Sequence, residues 1–178
     1  MKKVSLITSG LLLSLFVGVL YLASCNSNPC KTRAVECKNG GTCKDGDCIC
    51  TSGYEGDSCQ FRVNEKFDSY YACIRTSLIN DVQTDDNDDT LRIKIKNDKF
   101  GIKLYSIRDS IFEVINGTVN NNFITIPEQT LFFLDTFNYH GNGSLNNGVL
   151  TVTLYKETGG VVFTPWKSKT TYVGYKFD

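Results

Sequence analysis

This chain of 178 residues lacks several features, and each absence argues against a class of protein. Its formal net charge is zero and it has no block of Lys and Arg, so it carries no basic footprint for nucleic acid. It also lacks any long stretch with the 3.6-residue apolar period of a helix. With 12% aromatic and 21% charged residues, the composition is nevertheless typical of a globular protein.

Cysteine is absent from the whole C-terminal part of the chain, Ile74 to Asp178, although the chain has eight cysteines. Seven of them lie between Cys25 and Cys59, and the eighth is Cys73. A shift in composition of this kind usually marks a domain boundary. We therefore expect a cysteine-rich segment followed by a separate domain at residues 65–178.

The chain begins with a basic start and an apolar run. Lys2 and Lys3 precede an uncharged stretch that continues to Ser24. This order is typical of a secretory signal, although about 20 apolar residues would also be enough for a transmembrane anchor. The tetrapeptide LASC, which ends at Cys25, resembles the lipobox of bacterial lipoproteins.

The lipobox resemblance implies a signal peptide at residues 1–24 and a mature chain that starts at Cys25. In lipoproteins the cysteine thiol receives a diacylglycerol and the new N-terminus is usually acylated with a fatty acid such as palmitate. Several acyl chains hold a protein firmly on a membrane. We therefore expect residues 25–29 to be a lipidated tether in the bacterial cell envelope, with the outer membrane favoured, while a transmembrane anchor or ordinary secretion remains the alternative.

Residues 30–59 read CKTRAVECKNGGTCKDGDCICTSGYEGDSC, with the spacing C-x6-C-x5-C-x4-C-x-C-x8-C. The segments NGGTC and CICTSGYEGDSC resemble the corresponding parts of an EGF-like module. Six cysteines alone leave the pairing open, and the resemblance implies Cys30–Cys43, Cys37–Cys48 and Cys50–Cys59. A segment of this size buries too little apolar area to fold without such cross-links.

Metal binding is not favoured anywhere in the sequence, and no cofactor is predicted. The cysteine cluster has no nearby histidine, and its C-x-C spacing suits a tetrahedral zinc site poorly. The NSNP segment before Cys30 lacks the carboxylates with which some EGF-like modules bind calcium. The acidic run TDDNDD, Thr84 to Asp89, lacks the spacing of an EF-hand, so we expect a solvated hairpin loop there, with a calcium loop as the alternative.

The remaining residues, about 65 to 178, are rich in alternating apolar and polar positions. Thr90–Lys96 (TLRIKIK) and Gly148–Lys156 (GVLTVTLYK) alternate clearly, and Asn146-Asn147-Gly148 is a strong hairpin signal. Eight or nine such segments, separated by turn residues, predict an all-β fold. We expect an antiparallel meander that forms a barrel or a sandwich.

Two stretches of this region, INGTVNNNFITIPEQTL and GNGSLNNGVLTVTL, resemble the small lipocalin-like β domains that follow EGF-like modules in some bacterial lipoproteins. The resemblance implies a second possible function. In that alternative the domain carries a small apolar ligand inside a barrel.

Candidate catalytic residues are few. His140, in NYHGNG, is predicted to lie exposed at a strand end or turn, and nothing marks Cys73 or a serine as a nucleophile for it to activate. Cys73, in a predicted first strand, lacks a partner if Cys25 is lipidated, so we expect a buried and inert thiol. The glycosylation sequons that begin at Asn116 and Asn142 are expected to be turns.

The aromatic residues could line a ligand site or stack on sugars, but we expect most of them to form core and cross-strand pairs. They are Trp166 with Phe163 and Pro165, and Tyr70, Tyr71, Tyr139, Tyr155, Tyr172 and Tyr175.

These features together predict a non-enzymatic lipoprotein in which an EGF-like spacer presents a β domain. We expect it to bind a protein or glycan partner and the membrane through Cys25, but no nucleic acid. Two alternatives remain: the carrier of an apolar ligand and, less favoured, a hydrolase, which would need two carboxylates about 5–10 Å apart in a cleft.

Overall fold

A computed structural model of the chain describes residues 29–106, 114–132, 135–158 and 165–177, without the side chains of Asp85 and Asp86. The predicted signal peptide and Cys25 lie outside the described residues. Two compact units are present, of which the first holds the residues up to Thr51 together with Asp57–Gln60. The second holds Ser52–Gly56 and the chain from Phe61 onward. Within the ranges described, no helix is long and apolar enough to span a bilayer.

The first unit is small and is cross-linked by disulfides. Its elements are a single helical turn and a two-stranded ribbon in which Cys43 lies opposite Cys48. The disulfide bonds join Cys30 to Cys43, Cys37 to Cys48 and Cys50 to Cys59, which are the three pairs that the EGF-like resemblance implies. The elements are α1 (Pro29–Thr32), β1 (Thr42–Lys44) and β2 (Asp47–Ile49).

The second unit is a closed barrel of eight antiparallel strands. Each strand pairs with the next one along the chain, and the last strand pairs with the first, so the sheet has no free edge. The predicted all-β antiparallel fold is confirmed, and of the two predicted architectures the barrel is the one found. The strands are β5 (Ser69–Ile79), β6 (Val82–Ile95), β7 (Gly101–Ser106), β8 (Ile115–Asn120), β9 (Phe123–Phe132), β10 (Thr136–Asn146), β11 (Val149–Thr158) and β12 (Lys167–Phe177).

The alternation seen in the sequence fixes which side chains enter the barrel. On β11, Leu150, Val152 and Leu154 are all buried, as their two-residue period predicts. On β6, Leu91 and Ile93 are buried as well. Burial of each such side chain stabilises the fold by roughly 1.5–3 kcal/mol. The core of the second unit consists of Val63, Phe67, Tyr71, Cys73, Leu91, Ile93, Ile102, Leu104, Ile115, Val119, Ile124, Ile126, Phe137, Tyr139, Leu150, Val152, Leu154 and Tyr172.

A tight turn joins β10 to β11, as Asn146-Asn147-Gly148 predicts. Asn147 and Gly148 have positive φ values of 50° and 79°, and this conformation matches the right-handed twist of the two strands. The predicted hairpin is therefore confirmed.

A short segment in front of β5 covers one end of the barrel, which we name the helix end. The segment comprises a two-stranded ribbon, β3 (Tyr54–Glu55) with β4 (Phe61–Arg62), and a 3-10 helix, Glu65–Phe67. Phe67 is fully buried in the barrel core. The buried Asn64 side chain donates hydrogen bonds to the backbone oxygens of Asp98 (2.9 Å) and Gly101 (3.0 Å), which fixes the segment to the turn between β6 and β7.

Candidate functional site

The barrel interior contains a small cavity in the half away from the helix end. Its volume is about 70 Å³. A cavity of about 150 Å³ holds one benzene molecule, so this space is the size of a few waters. The lining is mixed, with six large apolar or aromatic side chains and four polar ones: Leu91, Leu104, Ile115, Leu154, Tyr139, Tyr172, Ser106, Lys156, Ser168 and Thr170.

Three charged side chains enter the barrel near this cavity. Arg75 and Asp89 are both buried, with 3.9 Å between Arg75 Nε and Asp89 Oδ2, and the Ser106 hydroxyl donates to the same oxygen at 2.9 Å. The Lys156 ammonium lies 4.3 Å from the ring centroid of Phe137, a distance that allows a cation–π interaction. Buried charges are tolerated when they are paired in this way.

The sequence did not lead us to expect these three residues inside the barrel, and Asp89 was expected in a loop, although a signal was present. Arg75 and Lys156 occupy the same alternation phase as the buried positions on their strands, two residues beyond Cys73 and Leu154. A polar residue that continues an apolar phase near the end of a strand is a candidate for the barrel interior.

Cys73 is free and buried, as predicted. Burial raises the pKa of its thiol to about 11, with a smaller contribution from Asp89 in the same direction and an opposing one from the Leu91 backbone. At neutral pH the residue is therefore a thiol, whereas nucleophilic and metal-binding chemistry need the thiolate.

His140 is exposed, as predicted, but its predicted position at a strand end or turn is wrong. It lies within β10 and stacks on Tyr155, with 4.9 Å between ring centroids and 9° between planes. Gly141, which suggested a turn, is instead a site of close strand contact, because a Cβ there would overlap the backbone of Thr153. The register also shifts between Tyr139 and Gly141, which accommodates a bulge.

Both sequons were predicted as turns, and both predictions are wrong. Asn116 lies in β8 and Asn142 lies in β10. The glycines that suggested turns are Gly117 and Gly143. Each lies against a neighbouring strand, at a position where a side chain would crowd the backbone of that strand.

The acidic run is a strand rather than the predicted hairpin loop. Thr84–Asp89 belongs to β6, and the turn that precedes it consists of Asn80 and Asp81, both with positive φ. Pairing with β5 continues along the acidic residues to Val82, which explains the extended conformation. The described part of the chain contains no group of three or more His, Cys, Asp or Glu placed to hold a metal ion.

The aromatic residues divide between the core and the outer face. Tyr71, Tyr139 and Tyr172 are buried, and Trp166 packs against the core with its ring centroid 6.5 Å from that of Phe137. Most of the expected core roles are thus confirmed, and Tyr70 forms an expected cross-strand pair with Phe177, with 6.0 Å between ring centroids. Tyr175 is exposed, and Phe163 lies outside the described residues.

A depression on the outer face of β12, β5 and β6 is a second candidate binding feature. Ala72 forms its floor, because its small side chain lies directly opposite the much larger Tyr175. The walls are unusually apolar for a surface, since Ile74, Val173 and Tyr175 are 58%, 43% and 66% exposed. Asp88 and Thr90 form the remaining rim. We refer to this feature as the outer depression.

Comparison with known proteins identifies one part of the chain. Residues 30–59 match the family model of the EGF-like domain. No curated protein and no solved structure matches the chain. The segment that carries the three disulfides, residues 30–59, is therefore an EGF-like module.

Proposed function

We propose that the chain is a lipoprotein of the bacterial cell envelope, anchored through acyl groups on Cys25, whose barrel binds a partner without catalysis. The EGF-like module acts in this proposal as the spacer between the anchor and the barrel. The observation that carries the binding role is the outer depression, where Ile74, Val173 and Tyr175 expose apolar surface to solvent.

The contrast between the outside and the inside of the barrel favours an external site. An open depression of about 760 Å³ is in the size range of ligand sites, while the interior cavity of about 70 Å³ is far below it. The small, partly polar cavity gives little support to the alternative of a carrier for an apolar ligand. Contiguous exposed apolar side chains with a polar rim are typical of interaction sites.

The chemistry of the outer depression indicates the kind of partner. The exposed Tyr175 ring offers a flat apolar surface with a polar tip, which makes tyrosine frequent at binding hot spots. Asp88 supplies a hydrogen-bond acceptor beside it and Thr90 supplies a hydroxyl. A partner protein that presents an apolar side chain, or a glycan that presents the apolar face of a sugar ring, would fit this surface.

The surroundings of the two candidate catalytic residues, Cys73 and His140, support a role without catalysis. The Cys73 thiol is buried and its pKa is raised to about 11, and the His140 ring is stacked on Tyr155 on the outer face. Neither arrangement provides an activated nucleophile next to a base.

Photo-crosslinking in living cells tests the binding role. A crosslinking residue that replaces Tyr175 should give a discrete adduct with an envelope component, and the same residue at Phe123, which is 66% exposed on β9, should not. Adding Ile74→Asp should abolish the Tyr175 adduct, because a charge would enter the apolar wall. Protease and glycosidase digestion then separate a protein partner from a glycan. The absence of any adduct at Tyr175, or the same adducts at Phe123, would contradict the proposed site.

Metabolic labelling with a fatty acid analogue tests the anchor. Wild-type protein should take up the label, and Cys25→Ser should give an unlabelled precursor of larger mass. Equal labelling of the two proteins would contradict lipidation at Cys25.

A further inference from the structure

The hairpin formed by β6 and β7 carries a concentration of lysines at the helix end of the barrel. Lys94 lies near the end of β6, Lys96 and Lys99 lie in the turn that follows, and Lys103 lies on β7. Lys94 and Lys103 are directly opposite each other in the antiparallel register. We refer to these four residues as the lysine face.

Directly opposed like charges destabilise a sheet, so the Lys94–Lys103 pair has a cost for the isolated domain. Asp98, in the turn, is the one carboxylate in residues 90–106, and it is hydrogen-bonded to the backbone. Its Oδ1 accepts hydrogen bonds from the amides of Phe100 and Gly101, and these bonds lower the pKa of Asp98. The carboxylate thus shapes the turn and offsets only part of the lysine charge.

Two carboxylates of the described segment that covers the helix end are engaged with other cations. Glu65 accepts from Arg62 Nε at 2.8 Å, and Glu55 pairs with Lys66 Nζ at 2.7 Å. These ion pairs leave the lysine face as a surface of net positive charge at this end of the barrel.

Aromatic side chains border the lysine face. The Lys99 ammonium lies 4.5 Å from the ring centroid of Tyr54, and on β4 the Phe61 side chain is 52% exposed. Arg62 donates to the backbone oxygen of Asn97 at 3.3 Å, which holds β4 beside the turn that carries Lys99. The helix end thus combines cationic and aromatic groups, the composition of proteins that rest on a bilayer surface.

We propose that the lysine face binds the anionic headgroups of the membrane surface. The inference rests on the proposed function, because the acylated Cys25 of that proposal would keep the barrel close to a bilayer. Charge complementarity to phospholipid supplies the attraction, and Phe61 supplies an apolar group for the interface. Each lysine near an anionic surface is expected to raise affinity about fivefold.

Vesicle sedimentation tests the proposal with a chain that begins at Asn26, which keeps every described residue and lacks both the acyl groups and the apolar leader. The probes are vesicles of phosphatidylcholine with or without phosphatidylglycerol. We expect binding only to the vesicles that contain phosphatidylglycerol, and loss of that binding as salt is added. The variant Lys94→Gln/Lys103→Gln should bind about 25-fold more weakly, from two lysines at about fivefold each.

The matched control removes the same charge from the other end of the barrel. Lys167 and Lys169 lie near the start of β12, and both side chains are exposed. Lys167→Gln/Lys169→Gln should leave vesicle binding unchanged. Equal weakening by both double variants would overturn the proposal, because net charge alone would then explain the binding.

Two further outcomes separate this inference from its rivals. Binding to heparin or duplex DNA through Lys94 and Lys103, without binding to anionic vesicles, would overturn the membrane assignment in favour of an acidic polymer. Failure to bind vesicles or polymers would overturn it outright. Vesicle binding in a chain whose Cys25 takes up no lipid label would refute only the anchor and leave the lysine face as a lipid-binding surface.

Discussion

The EGF-like module and the barrel are held together by different forces. In the module, three disulfides close loops of 9 to 13 residues, and Cys59 is its one buried apolar residue among those described. The barrel contains one free cysteine and no described disulfide, and its strands enclose a continuous apolar core. The module is therefore stabilised mainly by restriction of its unfolded chain, and the barrel mainly by burial of apolar surface.

The difference predicts opposite responses to reductant, and this is the largest effect that we expect. Each disulfide of this loop size contributes about 2–3 kcal/mol, so reduction of all three should unfold the module. The barrel should keep its protection against hydrogen exchange. The Val63 amide, which donates to Gly53 O at 3.1 Å within the second unit, should stay protected with the barrel.

Hydrogen exchange followed by mass spectrometry, with and without reductant, resolves the two regions. The variant Cys37→Ser/Cys48→Ser provides a control that loosens the module without a reductant. Loss of protection in β5 to β12 on reduction would show that the two regions do not differ in the way proposed.

A truncation in the barrel core should produce the opposite pattern. Leu150→Ala removes a side chain that is 0% exposed, and we expect the barrel to lose about 2–5 kcal/mol of unfolding free energy. The matched change in the module, Ile49→Ala, removes a side chain that is 55% exposed and should cost less than about 0.5 kcal/mol. Denaturant titrations measure both, and comparable losses would contradict the contrast.

The sequence was most informative where one local rule acted alone. Cysteine spacing resembled that of a known module, and strict alternation identified Leu150, Val152 and Leu154 as one buried face. Asn147-Gly148 specified a turn because few residues adopt its backbone conformation.

The sequence was least informative where the same residue type serves two purposes. Gly141 and Gly117 resemble turn residues, yet both lie in strands. A neighbouring strand approaches each of them so closely that only a residue without a side chain fits. The acidic residues of β6 suggested a loop, but strand pairing overrides the low β propensity of Asp. Lys94 and Lys103 appear as ordinary solvent-facing lysines until the register places them opposite each other.

Close packing around a strand glycine gives a third way to test the barrel. A Cβ added at Gly174 would meet the Ala72 oxygen and Cys73 Sγ, so Gly174→Ala should destabilise the barrel by about 1–3 kcal/mol through overpacking. Val173→Ala, at the exposed neighbouring position, is the control and should have a smaller effect. Thermal unfolding detects the difference. A Gly174→Ala barrel as stable as the wild type would mean that β5 and β12 can separate without cost.

The last predicted effect is a pH dependence that arises in the barrel core. The pKa of Cys73 is raised from 9.0 to about 11, mainly by desolvation, so the folded state favours the protonated thiol. The resulting stabilisation is fully present below about pH 9, where the unfolded chain also keeps its proton. It is lost as the pH rises toward 11, because the unfolded chain then releases a proton that the folded chain retains.

Comparison of wild type with Cys73→Ala isolates this contribution. The pKa of Tyr71 is also raised, to about 12, mainly by desolvation, and that residue is present in both proteins. Most of its effect cancels in the difference, because Cys73 makes only a minor contribution to the raised Tyr71 pKa. The stability advantage of the wild type over Cys73→Ala should shrink by roughly 2 kcal/mol between pH 8 and pH 11. Urea titrations at several pH values measure the difference. An advantage that stays constant over this range would mean that the thiol ionises as readily in the folded barrel as in the unfolded chain, and that the interior around Cys73 is accessible to water.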